Sequence, residues 1–262
     1  MQTEEWTFPG GTGQRLAGVL HVPEPADVPE GADAGGVPRG SVLLAHCFTC
    51  SKDIHTMTRL ARGLAEAGYA VLRFDFTGLG ESGGEFTEST VSTNVGDLTG
   101  AARALIERGY GPCAMVGHSL GGAAALLAAG RVHTVRSIAV VNAPSEPDHI
   151  RRVFASREDV IRREGEAVVE IAGRPFPISE EFIDDLEAHR QLAHVADLER
   201  PLLVVHAVGD EVVAVTEGER IFAAARQPKA FVPLLEADHL LSRRRDADEA
   251  LRTLVEWFDR TL

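Results

Sequence analysis

Lysine is almost missing from this chain: Lys52 and Lys229 are the only two in 262 residues, so nearly all the positive charge is arginine. Basic residues of any kind are few, 26 against 39 acidic, and the resulting net charge of −13 argues against nucleic acid or an anionic membrane surface as the main partner. Cysteine is scarce and odd in number. Cys47, Cys50 and Cys113 cannot make a disulfide framework and are expected to be thiols in a reducing compartment. Long apolar runs are also lacking. The longest, Ala123 to Ala129, is far short of the ~20 residues of a membrane span. Met1 to Gly11 carries two Glu and no apolar stretch, so neither a secretory signal nor a transit peptide is expected and the location read from it is cytoplasmic. No His/Cys/Asp/Glu set has zinc-ligand spacing and no Gly-rich loop carries a phosphate-binding lysine, so neither metal nor cofactor is expected.

What is there is an ordinary globular composition, 44% hydrophobic and 25% charged, long enough for one large domain. Glu4–Phe8 and Arg15–Val22 read as an antiparallel hairpin across Pro9-Gly10-Gly11-Thr12-Gly13, followed by a Pro/Gly/Asp-rich loop over 23–40. After it, β-branched segments alternate with helical ones, the signature of a parallel sheet with crossover helices. Strands are expected at Ser41–Ala45, Tyr69–Phe76, Cys113–Val116, Val135–Asn142, Leu202–His206 and Ala230–Leu235. Between them fall helices at Ile54–Ala67, Thr93–Glu107, Leu120–Ala129 and Thr216–Arg226, the last with Thr216 and Glu219 as a capping box, and a final helix carries an apolar stripe from Ala247 to Phe258.

The rhythm breaks over residues 144–200. There Ile150–Arg163 reads as helix, Ala167–Ile171 and Arg174–Ile178 as a short hairpin around Gly173, and Ser179 as the cap of a helix running to about His189. The expected organisation is a core made of 1–143 and 201–262 with 144–200 as a cap over the strand C-termini, where open α/β sheets bind ligands. Phe154, Phe176 and Phe182, set among 14 acidic and eight Arg residues, suggest an apolar underside that contributes a substrate pocket and a solvated outer face.

Gly117-His118-Ser119-Leu120-Gly121-Gly122 lies between an expected strand and an alanine-rich helix. A G-x-S-x-G turn in that setting presents a serine hydroxyl at a helix N-terminus. Serine needs a base held by a carboxylate, and both follow at later strand ends: Asp210 after Leu202–His206 and His239 after Ala230–Leu235. Asp238 shares the His239 loop and is expected to point away; His46, His118 and His206 are expected to make local hydrogen bonds, and Asp75 with Gly78, Gly80 and Ser82 to support a loop.

Together these features resemble the α/β-hydrolase superfamily over nearly the whole chain. More narrowly, His46-Cys47-Phe48-Thr49-Cys50-Ser51-Lys52-Asp53, Arg73-Phe74-Asp75-Phe76-Thr77-Gly78-Leu79-Gly80-Glu81-Ser82 and the Ser119 turn resemble bacterial hydrolases often fused to an OsmC-like domain. The resemblance implies an eight-stranded, mostly parallel sheet flanked by helices with a cap insertion after the sixth strand. It implies a serine esterase working without metal or cofactor on a small-molecule ester, with an OsmC-like protein as a candidate partner; separately, short or medium acyl chains are expected. It also implies an oxyanion hole from the amides of Phe48 and Leu120, although relatives carry Gly where this chain has Cys47. The same machinery serves thioesterases, amidases and acyltransferases. Two readings of other kinds stand beside it: a non-catalytic ligand-binding module, and a dithiol redox protein using Cys47 and Cys50. Joining those thiols is expected to turn the Phe48 amide away from an oxyanion.

Overall fold

A computed structural model describes residues 1–24, 37–111 and 113–262, so most of the loop expected over 23–40 lies outside the described residues. Eight strands form the central sheet: β1 (Gln2–Pro9), β2 (Arg15–Val22), β3 (Ser41–Ala45), β4 (Ala70–Phe74), β5 (Cys113–His118), β6 (Val135–Val141), β9 (Leu202–Ala207) and β10 (Lys229–Leu234). Their order is β1-β2-β4-β3-β5-β6-β9-β10, antiparallel at β1/β2 and β2/β4 and parallel elsewhere. Every residue of β3, β4, β5 and β9 is buried, as strands covered on both faces must be.

Alternation along β3 divides the core. Val42 and Leu44 face α1 (His55–Glu66) and α8 (Arg244–Thr261), whereas Leu43 and Ala45 face α2 (Val91–Glu107), α3 (Leu120–Ala129) and α7 (Val215–Ala224). The α3 segment is apolar all round and accordingly buried at all ten positions.

Between β6 and β9 the cap insertion carries α4 (Glu158–Glu164), the antiparallel pair β7 (Glu166–Ile171) and β8 (Arg174–Ser179), α5 (Glu180–Ala188) and α6 (Gln191–Asp197). Ser179 caps α5, accepting from the Phe182 N–H at 3.2 Å.

Several local expectations are corrected. The helix expected over Ile150–Arg163 is broken into 3-10 turns at Pro147–Val153 and Ala155–Arg157 before α4, because Phe154 leaves helical geometry to bury its ring completely. Helix α7 starts at Val215 behind Ala214 and has no side-chain cap, so Thr216 and Glu219 form no capping box. Helix α6 was not expected. Its first amides, those of Gln191 and Leu192, donate to the Glu146 carboxylate at 2.7 and 3.2 Å, a cap supplied 45 residues away. Finally, Cys47 and Cys50 are joined rather than free: the chain turns between them, Cys50 N–H donating to the Cys47 carbonyl at 3.2 Å, and brings their Cα atoms to 5.3 Å, a bridging distance. Cys113 remains a buried thiol.

Candidate active site

Parallel pairing of β3 with β5, Ala45 opposite Gly117, sets the loop after β3 beside the turn after β5. Ser119 occupies that turn at φ 53, ψ −126, backbone geometry that non-glycine residues adopt only when their surroundings impose it. The glycines make the turn physically attainable. A Cβ on Gly117 would lie 2.3 Å from the Gly121 carbonyl oxygen, one on Gly121 2.3 Å from the His46 carbonyl oxygen, and one on Gly122 2.6 Å from the Ala143 Cβ. The Ser119 N–H is bound to the Val141 carbonyl at 3.0 Å, and the residue is almost buried.

Asp210 and His239 are brought together across the β9 and β10 loops. His239 Nδ1–H donates to Asp210 Oδ2 at 2.7 Å, and the other carboxylate oxygen accepts from the Val212 and Val213 amides at 2.8 Å each. Burial alone works to raise the Asp210 carboxyl, but the His239 bond and these amides outweigh it and hold it below the usual carboxylate range. Asp238 points elsewhere, accepting from the Ser242 N–H at 2.8 Å.

Ser119 meets His239 through its neighbour. His118 Nε2–H donates to the His239 carbonyl at 2.6 Å, with ring centroids 5.0 Å apart. Ser119 Oγ makes no hydrogen bond among the described residues. Burial pushes His118 down to about 3, with the nearby His239 adding to the effect, so the His118 ring is neutral. His46 and His206 are likewise lowered chiefly by burial and act as struts, to the carbonyls of Cys47 at 2.8 Å and Val213 at 2.9 Å.

The amides of Phe48 and Leu120 donate to no group among the described residues. Phe48 belongs to the turn closed by Cys47 and Cys50, whose third residue, Thr49, has φ 58. Joining the cysteines does not tie the Phe48 N–H to another group of the turn, so the loss of this amide expected on joining is not seen as an internal hydrogen bond. The loop is backed by a charge cluster: Lys52 Nζ lies 2.9 Å from Asp75 and 2.6 Å from Glu81, and Asp75 also accepts from the Lys52 and Glu81 amides. Burial would lower Lys52, but Asp75 and Glu81 outweigh it and raise it well above the ordinary lysine range.

Phe154, Phe176 and Phe182 are buried. Phe182 stacks on Phe48 at 5.4 Å and packs on Phe154 at 6.0 Å; Phe176 meets Phe86 at 4.9 Å. These rings form a wedge between cap and core that includes the Phe48 side chain. Beside His239 opens a groove of about 590 Å³, lined in part by Val212, Leu235, Leu240 and Ser242.

Sequence reasoning missed Asn142, at φ 51, whose side chain donates to the His239 carbonyl at 2.8 Å and accepts from the Ala207 N–H at 2.7 Å. An Asn at a strand end, tolerant of left-handed geometry, was the available signal.

A mixed sheet in this order, with a strained serine after β5, an aspartate after β9 and a histidine after β10, defines an α/β-hydrolase. Residues 42–258 match the alpha/beta hydrolase family, and the chain belongs to it. It is similar to the esterase domain of a Rhodothermus marinus protein, 39% identical over 100% of this chain and 99% of that one with a TM-score of 0.77. Ferulic acid-bound Est1E from Butyrivibrio proteoclasticus shares the fold at 18% identity, covering 97% and 98% of the two chains at a TM-score of 0.76. The uncharacterized protein YfhR of Salmonella typhi is 25% identical over 240 residues, 91% of this chain and 75% of YfhR. Among the described residues no helix is long and apolar enough to cross a membrane.

Proposed function

We propose that this protein is a serine carboxylic ester hydrolase that works through an acyl-enzyme. The observation that carries the reading is the 2.7 Å His239–Asp210 bond held against the residue preceding a strained Ser119. Ser119 Oγ adds to the ester carbonyl carbon as His239 Nε2 takes the hydroxyl proton, and Asp210 stabilises the imidazolium. The carbonyl oxygen becomes an oxyanion received by the Phe48 and Leu120 amides. Collapse breaks the ester C–O bond, and the proton passes from His239 to the departing alcohol. Water then adds to the acyl-enzyme by the same route, releasing the acid and restoring Ser119. The 39% identity to a Rhodothermus marinus chain described as an esterase domain supports this chemistry.

In this reading residues 144–200 are the cap, its aromatic wedge bounds the acyl side, and the acyl chain is short or medium. The groove beside His239 receives the alcohol. A fluorophosphonate probe should label Ser119 and fail on Ser119→Ala, and Ser119→Ala should lose several orders of magnitude in kcat on p-nitrophenyl esters without losing its fold. Unchanged labelling of Ser119→Ala overturns the assignment. Running ester, thioester and amide series of graded acyl length on the same protein ranks the leaving groups.

A further inference from the structure

The turn holding Phe48 is tied down from the cap. Ala172 and Gly173, both at positive φ, make the two-residue turn between β7 and β8, so Arg174 leaves a tightly fixed hairpin tip. Its guanidinium lies 5.1 Å from the Phe176 ring centroid and donates through Nη2 to the carbonyl of Thr49, 125 residues away. In a chain of net charge −13 this arginine is spent on a backbone carbonyl. The carbonyl belongs to the one residue of the turn in left-handed geometry, Thr49 at φ 58, a β-branched residue in a conformation such residues avoid. Rotating the peptide after Thr49 back toward an ordinary conformation would carry the turn, and with it the Phe48 amide, out of place. The disulfide fixes the ends of the turn, whereas Arg174 fixes the orientation of its middle.

We propose that Arg174 is a positioning residue for the oxyanion hole, holding the Phe48 amide in its receiving orientation through the Thr49 carbonyl and making that orientation conditional on a docked cap. This rests on the esterase reading above. Removing an oxyanion donor outright costs about 100- to 1,000-fold in turnover, so misorienting one should cost about 10- to 100-fold.

The test compares Arg174→Met, which keeps the contact with Phe176 but has no donor, with Arg174→Lys, which keeps one donor. On p-nitrophenyl acetate, Arg174→Met should lose about 10- to 100-fold in kcat with KM within about twofold, and Arg174→Lys should recover much of the loss. Affinity for a trifluoromethyl ketone, whose tetrahedral adduct places an oxyanion in the hole, should weaken by the same factor as kcat/KM. Loosened packing alone would instead move KM and would not be rescued by lysine. Wild-type kcat in Arg174→Met, or a fall in kcat with trifluoromethyl ketone affinity unchanged, overturns the inference while fluorophosphonate labelling of Ser119 in the wild-type protein upholds the esterase reading. Absence of that labelling overturns both.

Discussion

Asn142 shows how much of the candidate site rests on hydrogen bonds away from the Ser119, Asp210 and His239 side chains. Its backbone N–H reaches Val205, its side-chain oxygen accepts from Ala207, and its amide nitrogen binds the His239 carbonyl, so one residue after β6 ties the end of β9 to the loop after β10. Asn142→Ala leaves a buried N–H unpaired and places a Cβ-bearing residue without a polar side chain at φ 51, a combined cost of about 2–4 kcal/mol. A urea titration should show that loss, Asn142→Gly should recover the conformational part alone, and both variants should turn over more slowly because His239 loses a tie. Lys52 makes the parallel case in charge. It is buried against a fully buried Asp75, so Lys52→Met strands a carboxylate and should cost about 3–5 kcal/mol by the same titration.

At the scale of elements, the Ser119 turn depends on how closely α3 approaches β3. Because the obstacle to a Cβ on Gly121 is the backbone of Ala45 and His46, not the end of a flexible side chain, Gly121→Ala must push α3 and the Phe48 loop apart. It should therefore lose activity as well as stability, whereas Gly109→Ala, with open space around it but at φ 84, costs some stability and no activity. The cap should behave differently. Phe182→Ala removes the ring stacked on Phe48 and should shift preference toward longer acyl chains more than it lowers the rate on acetate esters; equal loss on all esters would mean only destabilisation. Elements whose cause is local were legible in the sequence. The α3 helix follows from its own apolar run, the Ser119 turn from its own glycines, and Asp210 and His239 from their places after strongly patterned strands. Elements whose cause is distant were not: α6 is capped by Glu146, the Ile150 region is broken by burial of Phe154, and Arg174 acts on a carbonyl that only the folded cap brings near. The cysteine pair failed for a related reason. Odd cysteine number speaks to frameworks, while a turn of four residues decides for itself whether two sulfurs meet.

The whole molecule should be labile to acid, and its histidines decide the pH range. Burial lowers His118 to about 3 and His21 to about 4, the latter also disfavoured by Arg73, and lowers His46, His194 and His206 as well. In the unfolded chain each regains a value near ~6.5, so below that pH the unfolded state binds more protons than the native state. Stability is therefore complete above about pH 6.5 and falls as pH drops toward the folded-state values. For His118, fully buried, the drop from pH 6.5 to 5 is worth about 2 kcal/mol, a sizeable part of a native stability of about 5–15 kcal/mol. Carboxylates held low by hydrogen bonds, Asp210 and Glu217 among them, act in the same direction at still lower pH, whereas Asp97, raised by burial, works against them. Self-repulsion from the −13 charge also fades on the way to the isoelectric point near 5.2, but those charges are mostly solvent-screened and the histidines are not. The midpoint of urea unfolding should accordingly fall steadily from pH 7 to pH 5, and His118→Gln should flatten that slope by close to one proton. A midpoint constant across this interval would show that the buried histidines are protonated without cost.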